Sequence, residues 1–236
     1  MSESQTTVAT ICQTLSAQIA AGLYCAEGRL PSERTLSEQF STTRITLRES
    51  LGQLEAQGLI YREVRRGWFI SPPRILYNPL QRSHFHAMAQ EQGRFAQTEL
   101  IDASRLKASD SLCQKLNLPL QSDIYCIRRL RYIDGRAVLY VEHYLNPQFF
   151  PDILHADLTQ SLTDLYLSRY GIKYGRVRFD MVPTRLPQEA SDALKVTAGS
   201  PALFITRINR DQQDRVIDCD LEYWRYDALQ IDVEVG

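Results

Sequence analysis

The chain has 236 residues, of which 44% are hydrophobic and 23% charged, with a formal net charge of −1. That length suits two domains of ordinary size, and the hydrophobic share is enough for real cores. No apolar run approaches the roughly 20 residues needed to cross a bilayer, so no membrane role is expected. Near-neutrality also argues against a strongly basic, non-specific nucleic-acid coat.

The charge is unevenly divided. Residues 1–74 hold eight arginines and seven acids, whereas the rest hold 19 basic and 21 acidic residues. Any positive surface in the first third must therefore be concentrated on one face. The opening MSESQTTVATICQTL has no charged stretch followed by an apolar one, so a signal peptide is not expected. The five cysteines (Cys12, Cys25, Cys113, Cys126 and Cys219) are scattered and odd in number, which reads as reduced thiols in a cytoplasm. None shares metal-ligand spacing with a histidine, and His84-x-His86 is too weak a signal for a metal. No cofactor motif is present.

The first predicted helix spans 7–21, with Val8, Ile11, Leu15 and Ile19 as its buried stripe and Gly22 as its end. Pro31-Ser32 opens the next, with Ser32 as N-cap, Glu33 at the positive end, and Leu36 and Phe40 on one apolar side. Ser41-Thr42-Thr43 breaks the pattern and can cap a third helix, which carries Leu47, Leu51 and Leu54 as one stripe and ends at Gly58. So short a turn makes the two helices cross steeply, as in a helix-turn-helix. Opposite the leucines lie Arg44 and Arg48 with Thr46 between them, in the turns that enter the major groove in such motifs. A guanidinium fork suits guanine O6 and N7, and a threonine suits a phosphate or a thymine methyl. Arg34 projects from the preceding helix. Leu59-Ile60-Tyr61 and Trp68-Phe69-Ile70 read as a hairpin tipped by Arg65-Arg66-Gly67, which can reach a phosphate or the minor groove. Two arginines four apart are usually only a solvated face. Here cap, stripe, glycine and basic tip occur in the order of a winged helix-turn-helix.

The segments LPSER, LSEQF, TTRITLRESLGQLEAQGLI and RRGWFI resemble the DNA-binding domain of the GntR family of bacterial transcription regulators. The resemblance covers about the first 70 residues and implies operator contacts from Arg34, Arg44, Thr46, Arg48, Arg65, Arg66 and Gly67. Trp68 departs from the small residue common there, and is expected to reshape the wing-tip contact.

Pro72-Pro73 closes this domain, giving expected bounds of 1–72 for the winged domain, 73–83 for a linker and 84–236 for a second domain. The second domain is predicted to hold strands at 95–105, 123–133, 136–146, 174–186, 200–211 and 215–225. Asp134-Gly135 is a hairpin signal, and short helices fit at 109–116, 161–170 and 187–194. Hairpins with interspersed helices give an antiparallel α+β fold.

Arg129 and Arg131 alternate on one strand and share a face, where they repel unless an anion or flanking carboxylates intervene. Glu142 on the adjoining strand is a candidate neighbour. Ser161 opens a helix whose free N–H groups suit an anion, and a serine there can be cap and ligand at once. Arg176 follows on the next strand, and Asp218, Asp220, Glu222 and Trp224 alternate on the last long one. Structural ion pairs for Arg129 and Arg131, and a core role for Trp224, fit the same pattern.

RRLRYIDGRAVLYVEHYLNP, DLTQSLTDLY with RYGI, and VIDCDLEYWRYDALQIDV resemble the UTRA effector domain of the HutC branch of GntR regulators, which has a chorismate-lyase-like fold. This implies a phosphate or carboxylate held by Arg129, Arg131, Ser161, Leu162 and Arg176, with Glu142 on the polar part of the ligand. Asp218 is expected to mark a different polar group, with Trp224 packed against it. The likeness is greatest to regulators of phosphonate utilisation. That implies a phosphonate such as 2-aminoethylphosphonate, its amine on Asp218, Glu222 and Glu142, with a sugar phosphate or carboxylate as the alternative. The expected partners are an inverted-repeat operator, a small anionic effector and a second copy of the chain. An enzyme on the lyase-like half lacks a nucleophile, metal or phosphate-loop motif, and the charge count disfavours an architectural DNA coat.

Overall fold

A computed structural model describes residues 3–24, 28–63, 65–81 and 84–234, with backbone only for 3–7. The chain divides into two compact units, residues 1–74 with 195–197 and residues 75–194 with 198–236. Cys25 lies outside the described residues.

In the first unit the helices are α1 (Glu3–Ala20), α2 (Glu33–Gln39) and α3 (Arg44–Ala56). Ser32 caps α2 by accepting from the Thr35 N–H, and Thr43 caps α3 by accepting from the Thr46 N–H. Each satisfies an N–H that the helix itself leaves free. α1 starts earlier than the apolar stripe indicates, because the Glu3-Ser4-Gln5-Thr6 sequence of its first turn holds no apolar residue to mark it. Val8, Ile11, Leu15, Leu36, Leu47, Leu51 and Leu54 form one core with Leu30, Ile60 and Trp68. Strands β1 (Ile60–Glu63) and β2 (Gly67–Ile70) pair as an antiparallel hairpin, with Arg62 opposite Trp68 and Glu63 opposite Gly67. Gly67 has φ +104°, a backbone state that side chains disfavour, which explains glycine at this tip.

The second unit is α+β. Six strands make one antiparallel sheet, β4 (Ala96–Lys107), β5 (Asp123–Ile133), β6 (Arg136–Leu145), β7 (Tyr174–Arg185), β8 (Pro201–Asp211) and β9 (Val216–Arg225), in the order β4-β5-β6-β9-β8-β7. Asp134 and Gly135 both have positive φ at the β5–β6 turn, as a two-residue hairpin requires. The helices are α4 (Phe85–Glu91), α5 (Asp110–Leu116), α6 (Leu162–Tyr170) and α7 (Gln188–Leu194). Residues 75–77, within the expected linker, instead form β3 (Ile75–Tyr77), which pairs in parallel with β10 (Leu229–Ile231). Gln92 reinforces this entry segment, because its side-chain amide both donates to and accepts from the Leu76 backbone at 2.8 Å.

A bulge interrupts β7 between Tyr174 and Val177. At Gly175 an added Cβ would lie 2.2 Å from the Asp211 carbonyl oxygen, so the close approach of β7 and β8 depends on glycine. On one face of the sheet the register aligns Arg129 with Val141, Val141 with Glu222, and Glu222 with Ile205. Arg207 stands opposite Asp220 on that same face. The other face carries Cys126, Tyr144 and Cys219, which share a core cluster with Cys113 and Leu116 of α5.

Candidate functional site

The first surface is the start of α3. Leu47, Leu51 and Leu54 are fully buried, which leaves Arg44, Ile45 and Arg48 turned outward. Ile45 is 81% exposed, an apolar side chain between two arginines that the leucine pattern did not single out. The Thr46 hydroxyl is 3.0 Å from that of Thr43, so it is already engaged in the cap. Arg34 is exposed and only 3.8 Å from Glu38.

Glu33 joins the parts of this surface. One carboxylate oxygen accepts from Arg48 Nε at 2.8 Å and the other from the Trp68 indole N–H at 3.1 Å. Burial alone would raise the Glu33 pKa, but hydrogen bonds from Arg48 and Trp68 hold it below the usual carboxylate range. Trp68 is buried, so its ring does not reshape the wing tip as the sequence suggested. It packs inward and ties the hairpin to α2. At the tip Arg65 is exposed with φ +64°, and Arg66 pairs with Glu63 and lies over the Phe69 ring.

The second site is a cavity in the second unit, on the sheet face that carries Arg129. Arg129, Arg131, Ser161, Leu162, Glu222 and Trp224 line it, as do Arg207, His143, Tyr174 and Asn209. Residues of the entry segment and α4 complete the wall, including Tyr77, Gln81, His84, Phe85, His86 and Met88.

A chain of hydrogen bonds crosses its floor. Arg129 donates to His143 Nε2 at 3.1 and 2.9 Å and to the carbonyls of Leu158 and Gln160 at 3.3 and 2.9 Å. His143 Nε2 therefore accepts, and its Nδ1–H donates to Asp220 at 2.6 Å. Burial pushes the His143 pKa down to about 3, which keeps the imidazole neutral. Arg207 grips the second Asp220 oxygen at 2.9 and 2.6 Å. Burial would raise Asp220, but the charges and hydrogen bonds of His143 and Arg207 hold it well below the carboxylate range.

Arg131 stands apart. Its guanidinium lies 4.8 Å from the centre of the Phe85 ring, and its buried Nε has no hydrogen-bond partner. Burial and the neighbouring Arg129 charge press its pKa well below the usual arginine value. Ser161 at the start of α6 accepts from the Asp164 N–H at 3.3 Å, so it caps the helix while facing the cavity.

Three expected site residues lie elsewhere. Glu142 is on the opposite face of β6, since Val141 and His143 point to the cavity, and it binds Arg128 Nε at 3.0 Å. Arg176 falls in the β7 bulge with its side chain 75% exposed, 3.7 Å from Asp214. Asp218 is on the correct face but beyond the cavity wall, where Tyr174 and Asn209 hold it. Burial and the Asp220 charge push its pKa up. The amine subsite expected from Asp218, Glu222 and Glu142 is therefore not assembled. Trp224 packs against Phe85 and donates to Glu222 at 2.9 Å, rather than lying against Asp218. Arg207 was the main omission. The alternation of Arg207 with Asn209 and the pairing of β8 with the acidic β9 were the signals available for it.

Comparison with known proteins identifies the two domains. Residues 7–70 match the model of bacterial regulatory proteins of the gntR family, and residues 91–230 match the UTRA domain. The HTH-type transcriptional regulator YihL of Escherichia coli (strain K12) is 31% identical over 232 residues, covering 98% of each chain. The HTH-type transcriptional repressor NagR of Bacillus subtilis (strain 168) is 27% identical over 198 residues, 84% of this chain and 81% of that protein. The crystal structure of PhnF from Mycobacterium smegmatis superposes with a TM-score of 0.67 at 22% identity, covering 96% of this chain and 99% of that one, and so shares the fold. With a helix-turn-helix of this family at one end and a UTRA domain at the other, the chain belongs to the HutC-like branch of the GntR family and is a DNA-binding transcriptional regulator rather than an enzyme.

Proposed function

We propose that this regulator is a homodimeric cytoplasmic repressor. It binds a short inverted repeat through Arg34, Arg44, Arg48 and the Arg65-Arg66-Gly67 tip, and a small anion in the UTRA cavity modulates that binding. Two recognition helices related by a twofold axis fit half-sites about one helical turn apart. Arg44 and Arg48 suit guanine edges, and Ile45 between them suits a thymine methyl.

The observation that carries the effector reading is Arg131, a guanidinium with an unpartnered Nε in a cavity that the start of α6 also lines. A phosphonate, a sugar phosphate or a carboxylate supplies the missing charge. The route to DNA is short in sequence, since Ile75 directly follows the last residue of the first unit and Tyr77 already lines the cavity. An effector that prefers one placement of this segment shifts the operator equilibrium by its difference in affinity for the two states.

The test is a titration of phosphonates and sugar phosphates into the protein–operator complex, with wild type and Arg131→Ala compared. The expected result is equal operator binding by both proteins and a ligand response in wild type alone. A full response in Arg131→Ala would overturn the assignment.

A further inference from the structure

We propose that the cavity selects an anion whose remaining body is uncharged and polar, and that it discriminates against ligands bearing an ammonium group. This rests on the anion reading of the cavity given above. It follows from which charges in the site are already answered. Glu222 is already answered, by a hydrogen bond from the Trp224 indole N–H at 2.9 Å on one oxygen and by an ion pair with Arg207 at 3.6 Å on the other. Asp220 is filled by His143, Arg207 and Asn209. Asp218 lies behind the wall and is held by Tyr174 and Asn209.

Three guanidiniums face this set, from Arg129, Arg131 and Arg207. Among the described residues Arg129 and Arg207 bond to groups of the floor, whereas Arg131 packs on the Phe85 face, makes no side-chain hydrogen bond or close ion pair, and feels Glu222 and Asp220 only at longer range. The cavity thus has one unanswered positive charge and no unanswered carboxylate. An anion completes it. An ammonium would enter a partly desolvated site among three like charges, where Asp220 and Glu222 are both already ion-paired. A hydroxyl costs far less, because the Asn209, Gln81 and Tyr174 side chains in the wall can exchange hydrogen bonds with it. Discrimination of this kind comes from an unfavourable pairing as much as from a favourable one.

Calorimetric titration of the full chain at neutral pH with a matched pair of probes tests this. The pair is 2-hydroxyethylphosphonate and 2-aminoethylphosphonate, with inorganic phosphate as the bare anion. The expected result is at least about tenfold tighter binding of the hydroxyl compound, lost in Arg131→Ala. Arg131→Ala should keep its thermal midpoint, since the side chain bonds to no protein group that its loss would strand. Equal or tighter Arg131-dependent binding of the amine would overturn this proposal and leave the anion site standing. Binding of phosphate alone would overturn the claim that a polar body is admitted. No Arg131-dependent binding of any probe at millimolar concentration would overturn the anion reading itself, and this proposal with it.

Discussion

The two units use arginine in opposite ways. On the outer surface of α2 and α3 the guanidiniums are loosely held, Arg34 and Arg48 having side chains 76% and 63% exposed. In the cavity Arg129 is 1% exposed and donates to three groups of its own unit. An exposed arginine costs little to fold and meets its partner on a polyanion that brings a strong field of its own. A buried one must be answered within the fold, so its contacts report the shape of the site before any ligand arrives. On the proposed function, the exposed arginines serve a macromolecule and the guanidinium inside the cavity serves a small molecule.

That contrast can be broken by substitution. The largest effect is expected at Arg129→Ala, which strands His143 Nε2 and two carbonyls and should cost the second unit about 3–5 kcal/mol in urea unfolding. A loss below about 1 kcal/mol would show that the floor network does not hold the domain together. Next comes Arg48→Ala, expected to weaken operator binding by about 1–3 kcal/mol and relax base preference at one position, read by gel shift against variant duplexes. Its stability should fall by no more than about 1 kcal/mol, because the pair with Glu33 is solvent-facing on the arginine side. Unchanged selectivity would sink the placement of this helix in the groove.

Acid should separate the units further. His143 has a pKa lowered to about 3, so its contribution is fully present above the ordinary histidine range and is lost as pH falls from there towards 3. Asp218, raised by burial and by Asp220, contributes in the opposite sense and loses its share as pH rises above the ordinary carboxylate range. The informative quantity is therefore the difference between wild type and His143→Gln. Between about pH 6 and 4 the wild type should lose up to about 1.4 kcal/mol more per pH unit. Parallel curves would mean that the imidazole is charged in the fold. The smallest effect is expected at Arg34→Ala, a few tenths of a kcal/mol in stability, together with a shallower salt dependence of operator binding by about one unit.

The sequence is most legible where the determining interactions are local. Ser32, Thr43 and the leucine stripe of α3 act within a few residues, and the long strands alternate visibly enough that β5 and β6 fall within a residue of their expected bounds. β3 and β10 were missed because three-residue strands carry no periodic signal and pair across most of the second unit. α4 is only seven residues long and lies between the expected linker and the first expected strand of the second domain, where no helix is predicted. In the cavity, Arg129, Arg131, Ser161, Glu222 and Trp224 are legible from alternation and helix-start chemistry and Leu162 from the family resemblance, and all of them line it. Arg207 and His143 were not, because their link through Asp220 depends on the neighbours β9 acquires in the sheet. Glu142 was misplaced by reasoning from adjacency without parity, since one residue along a strand is the other side of the sheet.

The pairing of β3 with β10 carries a consequence for biosynthesis. β3, the first strand of the second unit, finds its partner only among residues 229–231, so it cannot pair until those residues have been made. The winged half, whose core draws on residues 8–68, is complete long before that. A nascent chain therefore carries a formed winged domain before β3 has its partner, and the second unit is complete only once synthesis has passed Ile231.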